Sequence, residues 1–299
     1  MKLSNWLKGS LYLLLFFLLV HSHASAQIDI SIERQGVLLQ GKFYAVQGEG
    51  PFTTVILLPG LPGNGVDVLG LGQRLSKAGI NALMFNYAGV YKSEGQLSFE
   101  NTQQDIHAAY EFIHRSENIA RFKIDTTNIY LGGYSYGGGM AITYAANHPE
   151  ISAVFSIAGG DHGEIISEYL RNPEFAKMLD NMFKHLKAPT GPVRFAEGSL
   201  PREVAEKGLA KLEPTLYLRK CAPLLAQKDI LLIGGWDDNL GSIENYVLPL
   251  YRAFKKANAQ DVKILAFQDN HAFSDVRTEL ANVIIEWIQG VSAKIKKML

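Results

Sequence analysis

The chain has 299 residues, enough for about two average domains or for one large α/β core. Its 47% hydrophobic, 19% charged and 10% aromatic residues exclude a disordered, collagen-like or polytopic membrane chain. Lys+Arg and Asp+Glu stand equal at 29, so no net field recruits nucleic acid, and the single Cys221 excludes an intrachain disulfide or a Cys-rich zinc or iron–sulfur site.

The first 26 residues read as an address. Lys2 and Lys8 open it, residues 11–20 are uninterrupted apolar, and Ala24-Ser25-Ala26 has the small-x-small pattern of a cleavage site. A crossing helix needs about 20 apolar residues, and Lys8 and Gly9 interrupt the run before that length is reached. The expectation is a signal peptide over 1–26, cleaved after Ala26. The mature chain would then be mildly acidic, exported to a periplasm or secreted, with no stable membrane insertion. No Cys follows the run to carry a lipid.

In the mature chain, residues 28–33 and 37–46 flank an Arg34-Gln35-Gly36 break, and 37–46 alternates apolar with polar, which predicts an antiparallel pair at a sheet edge. Continuous apolar runs follow at 54–58, 82–85, 129–131, 153–157, 230–233 and 262–267, the pattern of strands buried on both faces. Between them the spacing is helical: Val68, Leu71, Leu75 and Ala78; Ile106, Ala109, Tyr110 and Ile113; Val247, Leu250, Tyr251 and Phe254; Leu280, Val283, Ile284, Trp287 and Ile288. The alternation predicts one α/β domain over 27–299, a mostly parallel sheet covered by helices. Residues 161–223 break the rhythm. They carry no clear strand, six prolines and a helical piece at 174–187 with Phe175, Met178, Leu179, Met182 and Phe183 on one side. A loop that long is uncommon in a compact domain, so a helical cap insertion is predicted over the carboxyl edge of the sheet, where open α/β sheets bind ligands.

Gly133-Tyr134-Ser135-Tyr136-Gly137 fits G-x-S-x-G between an apolar strand and a helical run, a context that would project Ser135 from a tight strand-to-helix turn as a nucleophile. A serine needs a base to take its proton, and histidine suits that role. His107 and His114 fall within a helix, and His148 at a helix end. His271 instead follows the last strand in a loop at the carboxyl edge, and is the expected base. A carboxylate should orient it. Asp238, three residues after Gly235, is preferred over its neighbour Asp237, with Asp161 a third candidate. For the oxyanion, one backbone N–H would come from Tyr136 and a second from the loop 59–63. Pro59 and Pro62 have no N–H, which leaves Gly60, Leu61 and Gly63, with Leu61 preferred.

Together with Asn86-Tyr87-Ala88-Gly89, Ser93-Glu94-Gly95 and Gly235–Asp238, these motifs resemble the α/β-hydrolase superfamily over nearly the whole mature chain. Ile124-Asp125 ahead of Asn128-Ile129-Tyr130-Leu131-Gly132-Gly133 is most similar to its dienelactone-hydrolase, prolyl-oligopeptidase and acyl-CoA-thioesterase-like branches. The resemblance implies an α/β-hydrolase fold with an eight-stranded sheet, a Ser135–Asp238–His271 triad and acyl transfer through a covalent acyl-enzyme. Two positions depart from the pattern: Pro59 stands where many members have His, and Ala88 where an Arg is common.

The function expected is a secreted serine hydrolase, carboxylesterase-like, acting on a small-molecule ester or related acyl group without cofactor or metal. A peptidase or thioesterase is the alternative, with Glu164 and Glu168 as a possible anchor for a peptide amine. A noncatalytic hydrolase-fold binding protein is a further one, and a zinc site from Asp161, His162 and Asp237 has no supporting ligand spacing. The sequence leaves the oligomeric state open.

Overall fold

The computed structural model describes residues 25–63 and 67–298. Strands β1 (Ser25–Arg34) and β2 (Val37–Val46) pair antiparallel through a turn in which Gln35 and Gly36 both adopt left-handed backbone (φ 49° and 83°). That is the twist a two-residue hairpin connection requires. The expected signal segment lies outside the described residues up to position 24; Ser25 and Ala26 form the first two rungs with Val46 and Ala45. Cleavage after Ala26 would leave the register from Gln27 onward.

The remaining strands alternate with helices. β3 (Phe52–Leu58), α1 (Leu71–Lys77), β4 (Asn81–Phe85), α2 (Phe99–His114), α3 (Ser116–Phe122), β5 (Ile124–Tyr134), α4 (Tyr136–Asn147) and β6 (Ala153–Ile157) build the first two thirds. After β6 come α5 (His162–Arg171), α6 (Pro173–Lys187) and α7 (Pro201–Lys207), then β7 (Asp229–Gly235), α8 (Leu248–Lys256), β8 (Val262–Phe267) and α9 (Arg277–Met298). The eight strands form one sheet in the order β1-β2-β4-β3-β5-β6-β7-β8, parallel from β4 to β8. This is the α/β-hydrolase fold.

Period-two alternation divides the central strands between two cores. Val55, Leu57, Leu231 and Ile233 face α1 and α9, packing with Leu75, Ile284, Trp287 and Ile288. Ile56, Leu58, Ile230 and Leu232 face the other way, with Ile106 and Ile113 of α2, Met140 and Tyr144 of α4, and Phe254 of α8. The last strand departs from the expected two-sided burial. β8 ends the sheet, with only β7 beside it, and Lys263, Leu265 and Ala266 are exposed. The first helix also starts later than its spacing suggested. Leu69 and Gly70 take left-handed φ (55° and 74°), which keeps Val68 out of α1, and the Asp67 carboxylate accepts from the N–H groups of Gly72 (2.7 Å) and Gln73 (3.3 Å) in its first turn.

Between β6 and β7 the helices start on side-chain caps. Asp161 accepts from Glu164 N–H at α5, and Asn172 accepts from Glu174 and Phe175 N–H at α6, where Pro173 takes a position whose N–H needs no intrahelical acceptor. Tyr169 of α5, Asp180 of α6 and Arg202 of α7 bond to one another across the outer surface. One feature of this segment had no signal in the sequence: Val193 and Phe195 form isolated bridges to Val90 and Leu97, so the connection after α6 is stitched to the β4–α2 loop. Among the described residues, no helix is long and apolar enough to cross a membrane.

Candidate active site

Ser135 sits between β5 and α4 at φ 54°, ψ −119°, a conformation that non-glycine residues rarely adopt. Its surroundings hold it there. Ser135 N–H donates to Ile157 O (2.8 Å), tying the turn to β6. A Cβ on Gly133 would stand 2.2 Å from Gly137 O, and one on Gly137 would stand 2.4 Å from Pro59 O. Both flanking positions therefore have to be glycine for α4 to approach β5 and the loop after β3.

His271 and Asp238 reach Ser135 from the loops after β8 and β7. His271 Nε2 lies 2.9 Å from Ser135 Oγ, and Nδ1 lies 2.7 Å from Asp238 Oδ2. Asp238 is buried, and its Oδ1 accepts from the N–H groups of Leu240 and Gly241, both at 2.8 Å. Burial alone would push this carboxyl up, but the hydrogen bond and charge of His271, with the two N–H groups, outweigh it and hold Asp238 below the ordinary carboxylate range. The adjacent Asp237 is exposed and accepts instead from Gln268 (2.8 Å). Asp161 caps α5 and faces Arg219 at 3.6 Å, with no contact to His271.

Three further side chains fix the histidine loop. Tyr134 OH donates to His271 O (2.9 Å), with its ring 5.1 Å from the imidazole. Buried Asp269 accepts from Asn270 and Asp275 N–H. Arg277, at the start of α9, donates to Ala272 O and Phe273 O. The sequence reading missed all three. Tyr134 had a signal, since it occupies a variable position of the G-x-S-x-G turn; the others act on backbone carbonyl and N–H groups that no spacing pattern reveals.

The loop 59–63 passes directly beside the serine: a Cβ on Gly60 would meet Ser135 Cβ at 3.2 Å. Pro59 O accepts from the buried Tyr87 hydroxyl (2.8 Å), which anchors the loop. α4 begins at Tyr136, whose N–H is thus one of those a helix leaves without an intrahelical acceptor. The Tyr136 ring packs edge-on against Tyr87 and stacks with Phe99, and its hydroxyl shares a hydrogen bond with Thr102 (2.8 Å).

Ser135, His271, Leu61 and Tyr136 line a cavity of about 470 Å³ roofed by α6 and α7. His162 also lines it, between the rings of Phe99 and Tyr136. Burial lowers its imidazole to about 4, against an opposing backbone interaction with Tyr136, so the ring is neutral at physiological pH. Two sequence expectations do not meet here. Glu164 faces Arg219 and Arg171, and Glu168 accepts from Tyr246; neither lines the cavity. Among the described residues no group of three or more His, Cys, Asp or Glu is arranged to hold a metal ion, so Asp161, His162 and Asp237 are not gathered into a site.

A sequence model described as alpha/beta hydrolase fold matches residues 53–196, from β3 through the elbow to the connection after α6. That match and the sheet order together show the α/β-hydrolase fold. An esterase of Pyrococcus furiosus shares the hydrolase fold at a TM-score of 0.63 and 17% identity, over 96% of this chain and 95% of that one. Est1E from Butyrivibrio proteoclasticus, solved with ferulic acid bound, aligns at a TM-score of 0.61 and 14% identity, over 88% of this chain and 99% of that one. An acylaminoacyl peptidase of Pyrococcus horikoshii aligns at 0.64 and 16%, over 93% of this chain but 43% of the peptidase. At these identities the likeness carries the fold.

Proposed function

We propose that this hydrolase is an exported serine enzyme that cleaves carboxylic esters or related acyl groups of small molecules, with residues 1–26 as its export signal and α5–α7 as a cap over its site. The observation that carries this reading is the hydrogen-bonded line from Asp238 Oδ2 through both nitrogens of His271 to Ser135 Oγ, at 2.7 and 2.9 Å, opening on the cavity.

A serine hydroxyl is a weak nucleophile until a base takes its proton. The ionised Asp238 favours the tautomer with hydrogen on Nδ1, which leaves the Nε2 lone pair facing Oγ. As Oγ bonds to the acyl carbon, its proton passes to Nε2, and Asp238 stabilises the imidazolium. The oxyanion is held by backbone N–H groups of Leu61 and Tyr136. When the ester C–O bond breaks, Nε2 returns the proton to the leaving alcohol oxygen. Water then repeats the sequence on the acyl-enzyme, so one ester and one water become one acid and one alcohol. Ester bonds are favoured over peptide bonds because the cavity presents no carboxylate from Glu164 or Glu168 to bind a peptide amine.

Intact-mass spectrometry after incubation with a fluorophosphonate tests the reading. One adduct on Ser135 is expected, absent from Ser135→Ala and strongly reduced in His271→Ala, with ester turnover lost in both. A folded wild-type protein that takes no adduct, or either variant retaining full turnover, overturns it.

A further inference from the structure

We infer that the acyl group this site takes is an unbranched aliphatic chain of medium length, seated beneath α6. The inference rests on the serine-hydrolase reading and adds the substrate class to it.

Its starting point is an amphipathic helix whose apolar stripe faces space. Phe175, Met178, Leu179, Met182 and Phe183 recur at the spacing that puts them on one side of α6, and all five line the cavity that contains Ser135. Of these only Leu179 is buried; Met178 and Met182 are 40% and 38% exposed. A stripe packed on protein would be covered. Here it roofs a cavity of about 470 Å³, and a chain entering from Ser135 would cover it. Leu97, Phe99, Ile166 and Phe195 form the facing wall.

Size and charge narrow the occupant. An apolar cavity of roughly 150 Å³ holds a benzene, so this one takes on the order of 18 non-hydrogen atoms, far more than an acetyl ester needs. The charged residues of α6 lie off the stripe, with Asp180 held outside by Tyr169 and Arg202. The charged lining residues Asp67 and Arg277 belong to the α1/α9 side of the site and are already engaged with backbone groups. A chain beneath α6 meets no charge. Flexible methionine side chains adapt to a flexible chain, whereas the Phe183 and Phe195 rings, tilted by 40° at 5.4 Å between centres, offer no parallel pair of faces to sandwich an aromatic acyl group.

The test is kcat/KM over p-nitrophenyl esters from acetate to palmitate, with the cinnamate alongside. Each buried methylene is worth up to about fourfold, and an average of about twofold over the six that separate them makes octanoate exceed acetate by about 100-fold, with the optimum between hexanoate and decanoate. Leu179→Trp, which fills the space under α6, should lower the octanoate-to-acetate ratio at least about tenfold and move the optimum to shorter chains. Met182→Trp, at a half-exposed position that tolerates bulk, should do the same should Leu179→Trp fail to fold. An optimum at acetate, a preference for the cinnamate, or a ratio unchanged in both variants overturns the inference. Flat chain-length dependence with a fluorophosphonate adduct on Ser135 overturns it alone; no adduct and no turnover of any ester overturns the serine-hydrolase reading with it.

Discussion

The two walls of the cavity are built on different principles. On the sheet side, the elbow and the loops after β7 and β8 are held by backbone: Gly133 and Gly137 admit no Cβ, Asp238 accepts two N–H groups, and Tyr134 and Arg277 grip the carbonyls of residues 271–273. On the helix side, α6 carries one buried apolar residue, and its outer ties to α5 and α7 are largely solvent-exposed polar contacts. The chemistry proposed at Ser135 would depend on tenths of an ångström and draw on the rigid wall. Accommodation of a substrate would draw on the loose one. Mutations should therefore separate, with turnover sensitive on one wall and selectivity on the other.

The sharpest test of that separation is the pair Asp238→Asn and Asp237→Asn. Loss of the carboxylate beside His271 is expected to cut kcat by about 10⁴-fold with little change in thermal midpoint, as for an acid that fixes a histidine tautomer. The neighbouring substitution, at an exposed side chain bonded to Gln268, should change kcat by less than about twofold. Comparable losses in both would mean that the loop, rather than one carboxylate, sets the rate.

His162 lies buried in the cavity lining between Phe99 and Tyr136, and pH reads its contribution to stability. Its folded value of about 4 lies below that of the unfolded chain, so between roughly pH 6.5 and 4 the unfolded state binds the extra proton. Stability from this group is complete above that window and is lost as the pH falls through it, by on the order of 3 kcal/mol. Urea unfolding at pH 7 and pH 4.5 should show that decline in the wild type and a flatter one in His162→Leu. An equal slope in both places the acid sensitivity elsewhere.

Smaller effects complete the comparison. Tyr134→Phe removes one hydrogen bond to His271 O, worth about 1 kcal/mol, and should lower kcat about fivefold while leaving KM unchanged. A rise in KM alone would show that Tyr134 contacts substrate rather than positioning the histidine. Smallest of all, Met182→Ala on the loose wall should change unfolding free energy by no more than about 0.5 kcal/mol, because the side chain is half-exposed. A cost near the 2–5 kcal/mol of a core methionine would mean that α6 is packed as core.

Much of the fold was legible because its signals are local. Continuous apolar runs marked the central strands and helical spacing the layers over them, and Gly133, Ser135 and Gly137 marked a turn whose steric demands only glycine meets. β8 misled because its apolar residues outweighed Lys263, the one charge in the run and a mark of an open face; Lys263 and Leu265 are both exposed on this last strand of the sheet. Glu164 and Glu168 suggested an amine site from composition, and their placement against Arg219 and Tyr246 removed it.

The sequence by itself determined the order of strands and helices, the tight turn at Ser135 and the loops that carry His271 and Asp238, because each follows from steric and hydrophobic rules acting over a few residues. Which of two adjacent aspartates meets His271, which side chains hold the histidine loop and where the stripe of α6 faces were decided only by tertiary structure. Those contacts join residues up to 137 positions apart, and the energy that selects them exists only once the sheet has brought its carboxyl-edge loops together.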